Sequence, residues 1–483
     1  MKRLNFRLLV YLAGLILLIE SGFMMACIPV SLIFSGGDFR ALALSAGITG
    51  LFGAILFFYY RKRVRKTPGI REGFLAVTMT WLLISVFGAL PYMIHGSIPN
   101  PVDAWFETVS GFTTTGASIL TDIEAVPKGL LLWRSLTHWM GGMGIILMVI
   151  VVLPSLKVGG VYLFSAEASK ISLDDIKPRV VDTAKRFGII YIALTLIEIV
   201  LLTLGGMPVF DSVCHSFATI ATGGFGTKNT SITNYSVYIQ YVIIAFMFLS
   251  GINFTLHFLV SKGEIKKALR NEELRFYTQV TLAITLIIFL ILYFNGTSLH
   301  KAFRDSLFQV VSIITCTGFA TADYLLWPAA GWFMIFLTMF VGASAGSTGG
   351  GIKVIRHLLM VRNLRMGLKT FLHPRVIYGV KYQGNLVSEE LLRSVIAFYI
   401  WYLIIFFFSS LLMMIIGVDF LTSIGGVATS MGGIGPGLGT VGPASNFHHL
   451  PSLAKILLTF DMIIGRLEIY AFLVLFSPAF WKR

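Results

Sequence analysis

Negative charge is scarce in this sequence. Only 23 Asp and Glu stand against 38 Lys and Arg, and charged residues make up 13% of the 483 residues. Cysteine is scarcer still: Cys27, Cys214 and Cys316 each sit in an apolar run. That number and spacing exclude a disulfide framework and a cysteine metal site. His138, His215 and His257 have no metal-ligand spacing and read as satisfied polar residues of the interior. No Ser/His/Asp or paired-carboxylate arrangement can be identified either, so nothing marks the chain as an enzyme. What fills the chain instead is apolar: 56% hydrophobic residues and a mean hydropathy of +0.82. A soluble domain cannot bury that much apolar surface, which makes an integral membrane protein the expectation.

Several apolar stretches reach the roughly 20 residues that a spanning helix needs. They include Phe74–His95, Phe187–Leu204, Tyr241–Val260, Thr278–Phe294, Ser394–Ile416 and Lys455–Phe480. Barrel-type alternation is absent, so the spans are predicted to be helices. The start "MKRLNFRLLVYLAGLILL" has the basic and apolar parts of a signal peptide. Its apolar run continues to Phe34 without a small-residue cleavage site, and a spanning helix is expected there.

The formal charge of +15 would suggest nucleic acid as a partner in a soluble protein, but its placement excludes that reading. Basic residues cluster in Arg61–Lys66, Lys177–Arg186, Lys262–Arg270 and Arg356–Arg375, whereas the alternate connections carry few, among them Arg40, Lys128 and Lys228. This is the positive-inside pattern. It puts both termini and the basic loops in the cytoplasm, beside anionic lipid.

Two leading helices, at about 8–34 and 41–60, precede a unit that repeats. Each unit holds a spanning helix, a short apolar segment, a Gly/Thr-rich stretch and a second helix. The short segments are Val102–Thr113 and those starting near Phe210, Ala302 and Phe420, each about 11–14 residues. At about 1.5 Å per residue they cross only about half of a 30 Å core, so they enter the membrane and turn back. The expected domains are 1–66 (two helices), 67–155, 176–262, 270–366 with a broken second helix at 342–351, and 385–483.

The short segments end alike: Thr113-Thr114-Thr115-Gly116-Ala117, Ile220-Ala221-Thr222-Gly223-Gly224, Thr315-Cys316-Thr317-Gly318-Phe319 and Gly432-Gly433-Ile434-Gly435-Pro436. The glycines recur at roughly 100 residues, an internal repeat. A half-helix entering from outside aims its C-terminus, with a partial charge of about −0.5, at the bilayer centre. Four such ends favour a cation, and inward carbonyls can replace its hydration shell. No carboxylate lies in the aligned stretches, which argues against calcium or magnesium.

These units, with "HSFATIATGGFGT", "GSTGGGIKVIR", "GPGLG" and "GRLEIYAFLVLFSPAFW", resemble the bacterial Trk-type potassium uptake subunits of the Trk/Ktr/HKT superfamily over nearly the whole chain. The resemblance implies an all-α membrane fold of four pseudo-repeated helix–pore-loop–helix units around a central pore, with two extra helices in front. It links glycine at four filter positions, here Gly116, Gly223, Gly318 and Gly435, to potassium selectivity, and serine in the first to sodium. It also implies K+ as the transported ion with no organic cofactor, a homodimer, and a cytosolic RCK/KTN-type (TrkA-like) regulatory ring that binds ATP/ADP or NAD(H). Close relatives often carry two asparagines where this chain has Gly432-Gly433, so its fourth loop is expected to be more flexible.

A second interruption falls in "GWFMIFLTMFVGASAGSTGGGIKVIR", where Gly342, Gly346, Gly349, Gly350 and Gly351 prevent a stable helix. A phosphate-binding loop fails here: an extra residue separates Gly351 from Lys353, and no Ser/Thr follows. A packing kink and a mobile gate below the filter remain, and the resemblance implies the gate. Arg466 lies in the last spanning segment, where a charge is costly. It reads either as half of an ion pair with another helix or as a positive barrier under the filter, the role the resemblance implies. Glu20 and Glu198 read as paired core residues or proton carriers. Asp103, Glu107, Asp211 and Asp323 either concentrate cations at the outer mouth or cap helices. The functional expectation is potassium uptake across the cytoplasmic membrane; a sodium- or proton-coupled symporter on the same scaffold is the alternative.

Overall fold

The computed structural model describes residues 4–61, 70–151, 173–373, 379–467 and 469–481. The basic stretch 62–66, Arg375 and Glu468 therefore lie outside the described residues. Among the described residues the protein is helical apart from one small hairpin, β1 (Lys381–Tyr382) with β2 (Asn385–Leu386).

The leading pair is α1 (Phe6–Ile33) and α2 (Phe39–Arg61). Glycines let them pack closely: a Cβ on Gly14 would stand 2.8 Å from the Gly53 carbonyl. Small residues at such a seam are how helices associate in lipid, where apolar burial gives no drive. The first unit then runs α3 (Ile70–Gly88), α4 (Leu90–His95), α5 (Pro101–Phe112) and α6 (Lys128–Val151). The second runs α7 (Leu173–Leu204), α8 (Val209–Ile220), α9 (Val237–Ser250) and α10 (Phe254–Ser261). After a short α11 (Ile265–Leu269) come α12 (Glu272–Phe294), α13 (Leu299–Ile314), α14 (Ala329–Thr338) and α15 (Val354–Leu372). The last unit is α16 (Glu389–Ile415), α17 (Phe420–Gly432), α18 (Ser452–Leu467) and the short α19 (Ile469–Leu473) and α20 (Pro478–Trp481).

Among the described residues, six helices are long and apolar enough to cross a membrane. Four of them begin the four units. The short segments are helices as expected, although α13 has 16 residues, a little longer than the sequence suggested. Two of the four starts, those of α5 and α17, carry side-chain caps. Asn100 accepts from the Val102 N–H at 2.9 Å ahead of Pro101, and Asp419 accepts from the Thr422 N–H at 3.0 Å. Each such cap is worth about 1 kcal/mol.

Two predicted spans are not continuous. Tyr241–Val260 breaks between α9 and α10, which bend by 101°. Asn253 makes the break possible by capping α10, accepting from the Thr255 N–H at 2.9 Å. Lys455–Phe480 is α-helical on both sides of Glu468, to Leu473, and then passes through a 3-10 turn at Val474–Phe476 before α20. The glycine-rich break is where the sequence put it: no helix forms between Met339 and Lys353.

Candidate functional site

Each short helix ends in the same backbone turn. The amides of Thr115, Gly223, Thr317 and Ile434 donate to the carbonyls five residues earlier, on Ser110, Ala218, Ser312 and Thr429. The residue before each is left-handed: Thr114 at φ +53°, Thr222 at +56°, Cys316 at +60° and Gly433 at +66°. That conformation is uncommon for a non-glycine residue, and here it recurs in three loops. Two residues further on, Gly116, Gly224, Gly318 and Gly435 have φ of +81°, +79°, +82° and +102°.

This repeat corrects the register in the second loop. The sequence aligned Gly223 with Gly116, Gly318 and Gly435; the backbone places Gly224 there and Gly223 opposite Thr115, Thr317 and Ile434. The adjacent glycines satisfy either register in sequence, and the end of α8 decides between them.

The four loops meet in a ring. A Cβ on Gly116 would overlap the Gly223 carbonyl oxygen, one on Gly224 that of Thr317, and one on Gly318 that of Ile434. A Cβ on Gly435 would lie 2.8 Å from the Thr115 oxygen, which closes the circle. Glycine is thus needed twice over, for its positive φ and for close approach. The four ring glycines, with Ala117 and Pro436, border one cavity of about 90 Å³. The hydroxyls of Thr113 and Thr115, and of Thr315 and Thr317, pair at 2.8 Å in the first and third loops. The other two loops have no such hydroxyl pair: Ala221 with Gly223, and Gly432 with Ile434. Phe319 is buried, with its carbonyl accepting from Ser312 Oγ at 2.7 Å.

Cross-links between successive loops hold the ring. Arg134, buried in α6, gives its Nε to Glu107 Oε1 at 2.7 Å and an Nη to the Gly226 carbonyl at 2.9 Å. Its guanidinium stacks 3.5 Å above Phe225. His138 spans the same joint: the Phe225 N–H donates to Nε2 at 3.2 Å, so Nδ1 carries the proton toward the Gly111 carbonyl at 2.7 Å. The Ile232 N–H donates to the Ala320 carbonyl at 3.1 Å, and Tyr324 donates its hydroxyl to Gly437 at 2.6 Å. The fourth loop returns to the first through the Phe447 N–H on the Ser118 carbonyl at 2.8 Å, and through Lys455 on Asp103 at 2.7 Å.

Of the acids expected near the mouth, Asp103, Glu107 and Asp211 are braces and Asp323 caps a turn. Asp103 pairs with Lys455, and Glu107 holds Arg134 and the Ile119 amide. Asp211 accepts from Thr227 at 2.9 Å and Tyr235 at 3.2 Å, and Asp323 accepts from the Leu325 amide at 3.0 Å. None of them lines the cavity. His257 donates its Nε2–H to the Leu249 carbonyl at 2.9 Å, while His215 is buried against Phe319 and Tyr235. Glu20 and Glu198 are buried without an opposing charge among the described residues, so the expected pairing is not found. Among the described residues no group of three or more His, Cys, Asp or Glu side chains is placed to hold a metal ion.

On the other side of the ring lies the glycine-rich loop. The Thr348 hydroxyl donates to the Ile220 carbonyl at 3.1 Å, at the end of α8. A Cβ on Gly349 would stand 2.9 Å from the Thr315 carbonyl, and one on Gly350 would lie 2.5 Å from that of Gly432. The loop thus lies against the ends of α8, α13 and α17. Gly342 closes it by donating to the Ile352 carbonyl at 2.9 Å, and Gly346 and Gly351 take φ of +72° and +65°. The break between α9 and α10 receives it: the Ser344 amide donates to Gly251 and the Phe254 amide to Gly346, both at 3.0 Å. Glu273 holds the Ala345 amide at 2.7 Å. Lys353 donates its ammonium to the Gly349 carbonyl.

Arg466 is buried and joins this loop to the first unit. It donates to the Thr348 carbonyl at 2.8 Å and to the Gly141 carbonyl at 3.1 Å. It forms no ion pair with a described carboxylate; Asp461, five residues earlier in α18, accepts from Ser409 at 2.9 Å instead.

The chain is similar to known proteins over nearly its whole length. A family model described as "TrkH: Cation transport protein" matches residues 46–483. The Trk system potassium uptake protein TrkH of Salmonella typhimurium is 37% identical over 491 residues, covering 99% of this chain and 100% of that protein. The protein of the same name from Escherichia coli K12 is 37% identical over 487 residues, with the same coverage. The crystal structure of the potassium transporter TrkH from Vibrio parahaemolyticus matches with a TM-score of 0.91 at 35% identity, over 99% of this chain and 100% of that one.

Proposed function

The chain belongs to the TrkH family of cation transport proteins, a transport family and not an enzyme family, and on that premise we propose that it takes up potassium through a channel-like pore. The observation that carries this reading is the closed ring of four glycines against four carbonyls around one cavity. The carbonyls of Thr115, Gly223, Thr317 and Ile434 stand in for the water a potassium ion leaves behind. The C-termini of the short helices add partial negative charge. The glycine-rich loop, pinned by Arg466, is the gate below the filter.

In this reading residues 1–66 form a two-helix leader, and 67–155, 176–262, 270–366 and 385–483 are the four pore units. The protein sits in the cytoplasmic membrane with both termini inside. Its relatives are named as members of a Trk system, so it works with other components of one; the homodimer and the cytosolic nucleotide-binding ring are what the resemblance to Trk-type subunits implies. Potassium moves down the membrane potential, where 100 mV is worth about 2.3 kcal/mol per charge.

The test is flux into liposomes holding the purified protein, driven by an imposed negative-inside potential with no sodium or proton gradient. Potassium and rubidium are expected to enter at least about tenfold faster than sodium, a discrimination of about 1.4 kcal/mol. Uptake that requires a sodium or proton gradient would establish the coupled symporter instead. Equal sodium and potassium rates would remove the selectivity claim.

A further inference from the structure

The mouth of the ring on the side away from the glycine-rich loop carries the wrong charge for collecting cations. Among the residues that line its cavity the charged ones are Arg134 and Lys228, and there is no carboxylate. The Arg134 charge is matched by Glu107, with which it pairs at 2.7 Å. Lys228 is half-buried, and its ammonium stands 5.0 Å from the centre of the Tyr235 ring. It forms no ion pair with a described carboxylate. Asp122 is engaged by Asn229 at 3.1 Å, and Asp211 by Thr227 and Tyr235. Neither carboxylate lines the cavity, so among its lining residues Lys228 is the one charge without an ion-pair partner, beside Gly116, Gly224, Gly318 and Gly435.

Resting on the reading of the ring as an ion filter, we propose that Lys228 discriminates by valence: it keeps divalent cations off the filter at a modest cost in potassium. The electrostatic work of bringing an ion past a fixed charge scales with the ion's own charge. A potential that thins monovalent cations about fivefold therefore thins divalent ones about twenty-five-fold. The ring has no carboxylate to hold a divalent ion as a resident site would. The membrane potential nevertheless drives a doubly charged ion into it with twice the energy of a potassium ion, and it blocks the path while it stays. The charge at the mouth answers that problem without a ligand of its own, and an acidic mouth would aggravate it.

The test uses rubidium uptake into right-side-out membrane vesicles containing the full chain, with barium or calcium titrated outside. Lys228→Gln should lower the half-blocking concentration about twenty-five-fold while lowering the rubidium KM only about fivefold. Lys228→Glu should go further in both, and Lys228→Arg should keep the high blocking concentration of the unaltered protein. Raising ionic strength with N-methylglucamine chloride should strengthen divalent block of the unaltered protein, because screening removes a repulsion. That last arm needs no variant, so a folding defect cannot hide the answer. Equal block in all four proteins, an equal factor on rubidium KM and on block, or weaker block at high salt would overturn the proposal. Absence of rubidium uptake by the unaltered protein would instead defeat the filter reading on which it rests.

Discussion

Arg466→Ala should raise potassium flux by about tenfold or more. The side chain donates to the Thr348 and Gly141 carbonyls, and hydrogen bonds from a charged group are each worth about 1.5–3 kcal/mol. Their loss frees the loop where it lies against α8. The substitution also removes a positive charge from a buried position below the ring, where like charges about 8 Å apart interact by about 2 kcal/mol at an effective dielectric near 20. Both effects favour passage of a cation. Arg466→Lys keeps the charge but cannot reach both carbonyls with a rigid fork, and should fall between. The check is rubidium flux normalised to folded protein, alongside thermal stability in detergent. Flux and stability falling together would make Arg466 a brace and nothing more, and lost transport with intact stability would favour a coupled carrier.

Gly318→Ala should be the most damaging single methyl in the chain. The added Cβ pays for a left-handed backbone, about 1–2 kcal/mol, and must also displace the Ile434 carbonyl from the ring. Gly96→Ala separates the two effects. Gly96 has φ +82°, almost the same as Gly318, but a Cβ there meets nothing within 4 Å. Gly96→Ala should therefore cost about 1–2 kcal/mol of stability and leave ion selectivity intact. Gly318→Ala should lower the potassium-to-sodium flux ratio at least about tenfold. Gly116→Ser, at the position where the resemblance links serine to sodium, meets the Gly223 carbonyl in the same way. If Gly96→Ala and Gly318→Ala behaved alike, conformational strain alone would explain the glycines and the ring would carry no selectivity.

Much of this was legible in the sequence because a membrane chain has so few ways to interrupt itself. A Thr/Gly stretch after a half-length apolar helix stands out against its surroundings, and four of them at one spacing stand out further. The glycine-rich break after Thr338 was visible for the same reason. Three things were hidden. The Gly223-Gly224 pair fits two registers, and only the carbonyl accepting the Gly223 amide, on Ala218, chooses one. The break at Gly251–Asn253 keeps its flanks apolar, so hydropathy runs straight through it; Asn253, a capping residue in mid-span, was the available signal. The bracing role of Asp103 was hidden because its partner comes from afar: it meets Lys455 across 352 residues of sequence. Arg134, a charge inside an apolar helix that the sequence reading passed over, was the available signal for Glu107: a buried guanidinium needs an acid, and Glu107 is that acid.

The most direct test of the filter is to locate the ion by anomalous scattering from crystals of the protein grown in rubidium. Rubidium is expected on the central axis, in contact with the oxygens of Thr115, Gly223, Thr317 and Ile434, with a further ion in the cavity above Gly116, Gly224, Gly318 and Gly435. Rubidium bound elsewhere in the membrane region, with the four-carbonyl ring empty at the same concentration, would contradict the account.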